Sequence, residues 1–151
     1  MLPVLPMPEL MTKPKPTYRN VGTVTTRDQN GSIVIPVQDA VDQSGNAGGN
    51  GIVFHRDSPK GLTGEVVDNR PDGRRHELAR AINEFGSRSV KSVAIPPAGL
   101  EHLDIDRSDA ADGVELDLWV CNDPNEDRAL IAVTPVVYQE MQITTPERDS
   151  E

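Results

Sequence analysis

Apolar and polar positions alternate in short runs along this chain, and each run is cut off by proline, glycine or an Asn/Asp turn. Val21, Thr23 and Thr25 alternate with Gly22, Val24 and Thr26, which is the period of a strand. Asp28-Gln29-Asn30-Gly31 supplies a turn, the Asn-Gly pair being a strong hairpin signal, and Ser32-Ile33-Val34-Ile35-Pro36 returns. Val37 to Gln43 then predicts one short helix, Ser44 to Gly51 a flexible turn, Gly51 to His55 a strand and Gly64 to Val67 its return.

The pattern starts again further on. Val90, Ser92 and Ala94 alternate with Lys91, Val93 and Ile95, and Pro96 stops the strand because it has no N–H to give and fixes its own φ. Proline is welcome in the first turn of a helix, and Leu100, Leu103 and Ile105 lie near one helical face. Asp106 to Gly113 reads as an acidic turn. Val114, Leu116, Leu118 and Val120 form the inner face of the next strand, with Glu115, Asp117, Trp119 and Cys121 outward. Asn122 to Asp127 has the composition of a turn, and Ala129 to Val133 returns. Between the two series, Leu78, Ala81, Ile82 and Phe85 fall on one side of a predicted helix over Arg74–Phe85. Ser32-Ile33-Val34-Ile35-Pro36 aligns with Ser92-Val93-Ala94-Ile95-Pro96, which points to an internal duplication.

The order Gly86-Ser87 loop, strand to Ile95-Pro96, and short helix to Leu103-Asp104-Ile105, followed by an acidic turn and a strand hairpin, resembles the swapped-hairpin DNA-binding family of AbrB, SpoVT and the MazE antitoxins. The resemblance implies a mainly β fold with short helices, in which two tandem swapped-hairpin units form a pseudo-dimeric barrel. The organisation expected is a Pro-rich extended arm at 1–18, a first hairpin unit at 19–68 and a linker helix at 69–85. A second unit at 86–135 and a strand with a disordered tail at 136–151 follow.

Composition modifies this picture in two ways. Aromatics are only 3%, so the core has to come from Val, Ile, Leu and Ala, and 13 prolines with 12 glycines forbid long helices. A chain of 151 residues still buries roughly 70% of its extended surface. The formal charge of -9 at first argues against nucleic acid, since phosphate binding needs Lys and Arg. Arginine, however, outnumbers lysine, and the acids are spread along the chain, as suits a protein of a high-salt cytoplasm or of a virus in such a host. A basic patch on such an acidic body remains a workable DNA site. No stretch approaches the ~20 apolar residues of a membrane span, and no basic–apolar leader opens the sequence, so a cytoplasmic protein is expected.

Little enzymatic chemistry is legible. His55, His76, His102 and Cys121 have no metal-ligand spacing, no Gly-x-Ser-x-Gly elbow occurs, and the glycines at 45–51 lack a Gly-Lys-Ser/Thr ending. We expect no catalytic residues, metal or cofactor. The family resemblance instead implies double-stranded DNA as partner and a regulatory or antitoxin-like role, with a toxin as a further partner in the latter case. Its DNA-binding residues map to Arg19 and Arg27 before the first Ile-Pro and to Gly86, Ser87, Arg88 and Lys91 before the second. Arginine offers a planar fork to guanine or phosphate, and glycine lets backbone N–H groups approach phosphate closely. The acidic segment His102–Asp106 is then expected to face away from the duplex. The competing reading is a homo-oligomeric structural or assembly subunit, such as a virion decoration protein with a capsid partner, that clasps neighbours with its arm.

That arm carries Pro3, Pro6, Pro8, Pro14 and Pro16 among Leu2, Val4, Leu5 and Leu10. At about 25 cal/mol per Å² of apolar surface removed from water, a few such side chains contribute several kcal/mol to an assembly. Proline lowers the ordering cost, because the free arm is already extended. Deleting residues 1–17 is therefore expected to weaken an oligomer without lowering the stability of the folded core. Light scattering on dilution of both proteins checks this, and identical masses throughout would mean that the arm is only a tail.

Overall fold

The computed structural model describes residues 18–58, 61–68, 78–85, 90–136, 143 and 146. Residues 1–17 of the expected arm, the loop Gly86–Ser89, residues 69–77 and nearly all of the C-terminal tail lie outside the described residues, whereas Tyr18 already belongs to the first strand.

Nine strands are described: β1 (Tyr18–Thr25), β2 (Arg27–Gln29), β3 (Ser32–Pro36), β4 (Gly51–His55), β5 (Leu62–Val67), β6 (Ala79–Phe85), β7 (Val90–Ala94), β8 (Glu115–Cys121) and β9 (Leu130–Pro135). Three short helices accompany them: α1 (Gln38–Gln43), α2 (Pro97–His102) and α3 (Arg107–Asp112). The strands form one sheet in the order β1-β8-β9-β5-β4-β6-β7-β3-β2, with every pairing antiparallel. This sheet curls. Its first and last strands, β1 and β2, are consecutive in the chain and separated by Thr26 alone.

Local chemistry accounts for most elements. Asn30 and Gly31 both take positive φ, 55° and 91°, the two-residue turn that matches strand twist, and Asp28 Oδ1 accepts a bond from the Gly31 N–H at 2.9 Å. Pro36 and Pro96 close β3 and the segment after β7. Pro97 then opens α2 at the position where a missing N–H is harmless. Gly64 is required by close approach, since a Cβ there would lie 2.7 Å from Ile52 Cγ2.

The core is aliphatic, as expected. Ile33, Ile35 and Val37 of the first series meet Val93, Ile95, Leu100 and Leu103 of the second, with Ile52, Phe54, Leu62, Leu116, Leu118, Val120, Ile131 and Val133 completing the cluster. Leu116, Leu118 and Val120 are the inner positions of β8 anticipated from alternation, and Val114 packs partly buried against the same cluster. The other face of the hairpin is less open than alternation suggests. Asp117, Leu130, Ala132 and Thr134 are also buried. Asp117 accepts a bond from Thr23 Oγ1 at 3.0 Å, Trp119 Nε1 donates to Thr134 Oγ1 at 3.0 Å, and Arg128 Nη2 donates to the Pro146 carbonyl at 2.8 Å.

Two expectations are corrected. The helix over Arg74–Phe85 is not formed at its C-terminal part: Ala79–Phe85 is the strand β6. Positions 78 and 82, and 81 and 85, share a face in either period, so so short a segment does not decide between them. Tertiary pairing does. Residues 79–81 pair with β4 and 82–85 with β7, and a helix here would leave both neighbours with an open edge. The acidic turn at Asp106–Gly113 holds the helix α3, begun after Asp106 and ended by Gly113 at φ 119°.

Thr26 lies where the chain passes from one end of the strand order to the other. It is 1% exposed; its hydroxyl donates to the Ala110 carbonyl at 2.7 Å and accepts from the Val114 N–H at 2.8 Å. Thr26→Val keeps the shape and strands both backbone groups, at about 1–3 kcal/mol for each group left unpaired. Denaturant unfolding is expected to show that loss, with Thr26→Ser retaining most of the stability. Equal stability of the Val and wild-type proteins would remove this role.

Candidate nucleic-acid interface

Arg19 stands on β1 opposite Val120, exposed, and its Nη2 donates to Gln43 Oε1 at 2.5 Å. Lys91 stands on β7, and its Nζ reaches Asp42 Oδ1 at 2.6 Å and the Ala47 carbonyl at 2.8 Å. The Lys91 backbone is held as well: its N–H donates to Gln38 Oε1 at 3.0 Å and its carbonyl accepts from the Val37 N–H at 2.9 Å. The fold therefore brings Arg19 and Lys91 together at the C-terminal end of α1, on Gln43 and Asp42. Arg27 is exposed on β2 opposite Val34, on the hairpin that leads away from that end. Gly86, Ser87 and Arg88 lie outside the described residues. They join Phe85 to Val90, the last pair of the β6–β7 ladder.

Lys91 is less available than the sequence implies. Its side chain is 20% exposed against 42% for Asp42, and its hydrogen bond holds the Asp42 carboxyl below the ordinary carboxylate range. Three of its four contacts named above go to α1 or to the Ala47 carbonyl just beyond, and the fourth goes to Val37 just before α1, so it acts as a clasp between β7 and the α1–β4 segment.

The residues that sequence reasoning missed sit at the other end of the β3–β7 ladder. Arg107 of α3 donates from Nη2 to the Gly31 carbonyl and lies 4.0 Å from Asp28 Oδ1. An open cleft of about 580 Å³ is lined there by Gly31, Arg107, Asp104, Asp106, Asp109 and Glu101, among others. Asp104 and Asp106 of the acidic segment stand beside the first hairpin turn, in the same cleft as Gly31. No spacing in the chain ties position 107 to the Asn30-Gly31 turn; only the packing of α3 against β2 and β3 does so.

Among the described residues no group of three His, Cys, Asp or Glu side chains could hold a metal ion, and no helix is long and apolar enough to cross a membrane. Burial pushes the Cys121 thiol up, away from the thiolate a nucleophile needs. His102 Nε2 lies 2.6 Å from the Ser58 carbonyl and 3.0 Å from that of Gly61, which ties these two positions to α2.

Protein-family models, curated proteins and solved structures give no match to this chain.

The Asp42 geometry predicts a pH dependence. Its folded pKa is depressed, so the stabilisation is present above the ordinary carboxylate pKa and is lost as pH falls through the folded value. Asp42→Asn is expected to remove that portion of the acid sensitivity and to loosen Lys91. Urea midpoints across the acidic range check it, and superimposable profiles for the two proteins would refute it.

Proposed function

We propose that the chain is a single-chain, tandem swapped-hairpin protein of the kind the sequence resembles, binding double-stranded DNA mainly through backbone contacts in a regulatory or antitoxin-like role. One observation carries the reading. With β1 and β2 counted as one bent strand, exchange them with β6, β3 with β7, α1 with α2, β4 with β8 and β5 with β9. Each pairing then falls on a pairing: β1–β8 on β6–β4, β2–β3 on β6–β7, β4–β5 on β8–β9, and β3–β7 and β5–β9 on themselves. Each series also donates a strand to the hairpin of the other, which is the interleaving expected of two short units that have no complete core alone.

The placement of the hairpins supports a duplex as ligand. β3 and β7 run antiparallel, so the β2–β3 turn and the β6–β7 loop lie at opposite ends of one ladder. Since Pro36 stands opposite Ser92, Val90 is level with residue 38, and seven residue positions past Gly31 at ~3.3 Å each give roughly 23 Å. Arg107 is bonded to the β2–β3 turn itself, Arg27 is exposed on β2 and Arg19 on β1, and Arg88 lies within the second loop by sequence.

Arg88→Ala is expected to weaken duplex binding and to flatten its salt dependence, because each neutralised phosphate releases counterion. Gel retardation after refolding in high salt tests it. Failure to retard any duplex at modest salt would sink the DNA reading and leave the assembly role.

A further inference from the structure

We infer that the cleft between α2, α3 and the β2–β3 turn is the receptor for the N-terminal arm, residues 1–17, of a second copy of this chain. The inference does not rest on the DNA-binding reading. It names the surface that the arm clasps.

The cleft encloses about 580 Å³. That is within the ~300–1,000 Å³ of sites that hold a small ligand, and it gives room for a few residues of extended chain. One side of it is apolar: Pro97 is exposed and Ala94 and Ile105 are half-buried, beside the buried Ile33, Ile95 and Leu100. The rim is charged. Glu101, Asp104, Asp106 and Asp109 are all exposed on it, against Arg80 and Arg107. Both guanidinium groups are already engaged by the chain itself. Arg107 bonds the Gly31 carbonyl and lies 4.0 Å from Asp28, and Arg80 Nη1 donates to the Ala79 carbonyl at 2.8 Å. Of the carboxylates, Asp106 accepts from the Ser108 hydroxyl at 3.0 Å. Those of Glu101, Asp104 and Asp109 have no hydrogen bond or ion pair among the described residues. The complement of such a groove is a basic segment that also carries aliphatic side chains, whereas phosphate meets like charge there.

The arm has that chemistry. Lys13 and Lys15 stand against a single acid, Glu9, in a chain whose formal charge is -9, and Leu10 and Met11 come just before them. Pro14 and Pro16 alternate with the lysines, so the free segment is already restricted towards extended backbone and loses less entropy on seating.

The basic part of the arm cannot reach the cleft of its own chain. The arm joins the fold at Tyr18, next to Arg19, whose guanidinium bonds Gln43 of α1. From Tyr18 to Thr25, β1 covers roughly 20 Å, allowing for the bulge between Asn20 and Gly22. The α3 residues of the cleft stand at that far end, where Thr26 bonds the Ala110 carbonyl. Lys15 lies three residues before Tyr18 and so no more than ~11 Å from it. A neighbour's cleft is under no such limit. Every copy offers one arm and one cleft, so reciprocal exchange closes a dimer and one-way exchange builds a longer array, both held by the same contact.

Sedimentation of the full-length protein over a range of concentrations at modest salt tests the inference, with charge reversal on each side. Lys13→Glu with Lys15→Glu changes the arm, and Glu101→Lys with Asp109→Lys, both exposed positions, changes the cleft. Each pair is expected to raise the dissociation constant of the assembly roughly tenfold or more. Combining all four reversals in one chain is expected to restore assembly. Mixing the two variants is expected to do so as well, since one brings an intact cleft and the other an intact arm. Such restoration also shows that the reversed chains fold. A full-length protein that is monomeric at every concentration, or an assembly that either pair leaves unchanged, overturns the inference. Loss with both pairs and restoration in neither combination overturns it too, since the contact then does not join arm to cleft.

Discussion

Between Thr25 and Arg27 the chain has to leave one strand pairing and enter another without stranding a buried polar group. Thr26 meets that constraint with one side chain. Its hydroxyl supplies the acceptor that the Val114 N–H needs and the donor that the Ala110 carbonyl needs, and its own N–H bonds the Val114 carbonyl at 3.0 Å. An unpaired buried backbone group costs about as much as a lost hydrogen bond, so a plain hydrophobe at this position would make the crossing unfavourable. The far side of the molecule meets the same demand differently. β6 pairs with β4 through Ala81 and with β7 from Ile82, with no break between. The curl of the sheet, and with it the meeting of Ile33 and Ile35 with Val93 and Ile95, depends on these two crossings.

Where a residue's own backbone chemistry decides the structure, the sequence is readable. The Asn30-Gly31 turn, the Ile-Pro strand ends and the Pro97 helix start all follow from φ preferences or a missing N–H, and all are present. Leu116, Leu118 and Val120 are legible because one inward face of a strand repeats every second residue. β6 was misread because the pairs Leu78/Ile82 and Ala81/Phe85, each four apart, keep one face in a helix and in a strand alike, and one of the deciding partners, β4, is distant in the chain. The buried outer face of the β8–β9 hairpin was invisible for a related reason: Thr134 and Asp117 look solvated by type, and their side chains bond Trp119 and Thr23 across the sheet.

The candidate site divides in the same way. That Arg19 and Lys91 converge was not deducible, since the meeting point is α1, which precedes Lys91 by some fifty positions and belongs to the other series. Lys91 illustrates why residue type alone misleads. A lysine before an Ile-Pro strand end suggests a phosphate contact, yet here its ammonium is bound to a carboxylate and a carbonyl, and freeing it for DNA would leave Asp42 with the Gln38 amide in place of a cation. Surface ion pairs of this exposure contribute little by themselves. The clasp matters more for holding α1 against β7, which in turn sets where Arg19 can bond Gln43.

Ionic strength acts on such an interface in two opposed directions. Added salt weakens phosphate contacts through the counterions released on binding. It also shortens the range over which the chain's excess of carboxylates repels the duplex, from ~10 Å at 0.1 M to ~3 Å at 1 M. In a chain of net charge -9 the second effect is large for acids distributed over the body and small for those beside the contact. Asp104, Asp106 and Asp109, grouped with Gly31 around one cleft, belong to the second kind. On the proposed DNA-binding reading, screening therefore removes the general repulsion first and acts least on the carboxylates grouped around this cleft.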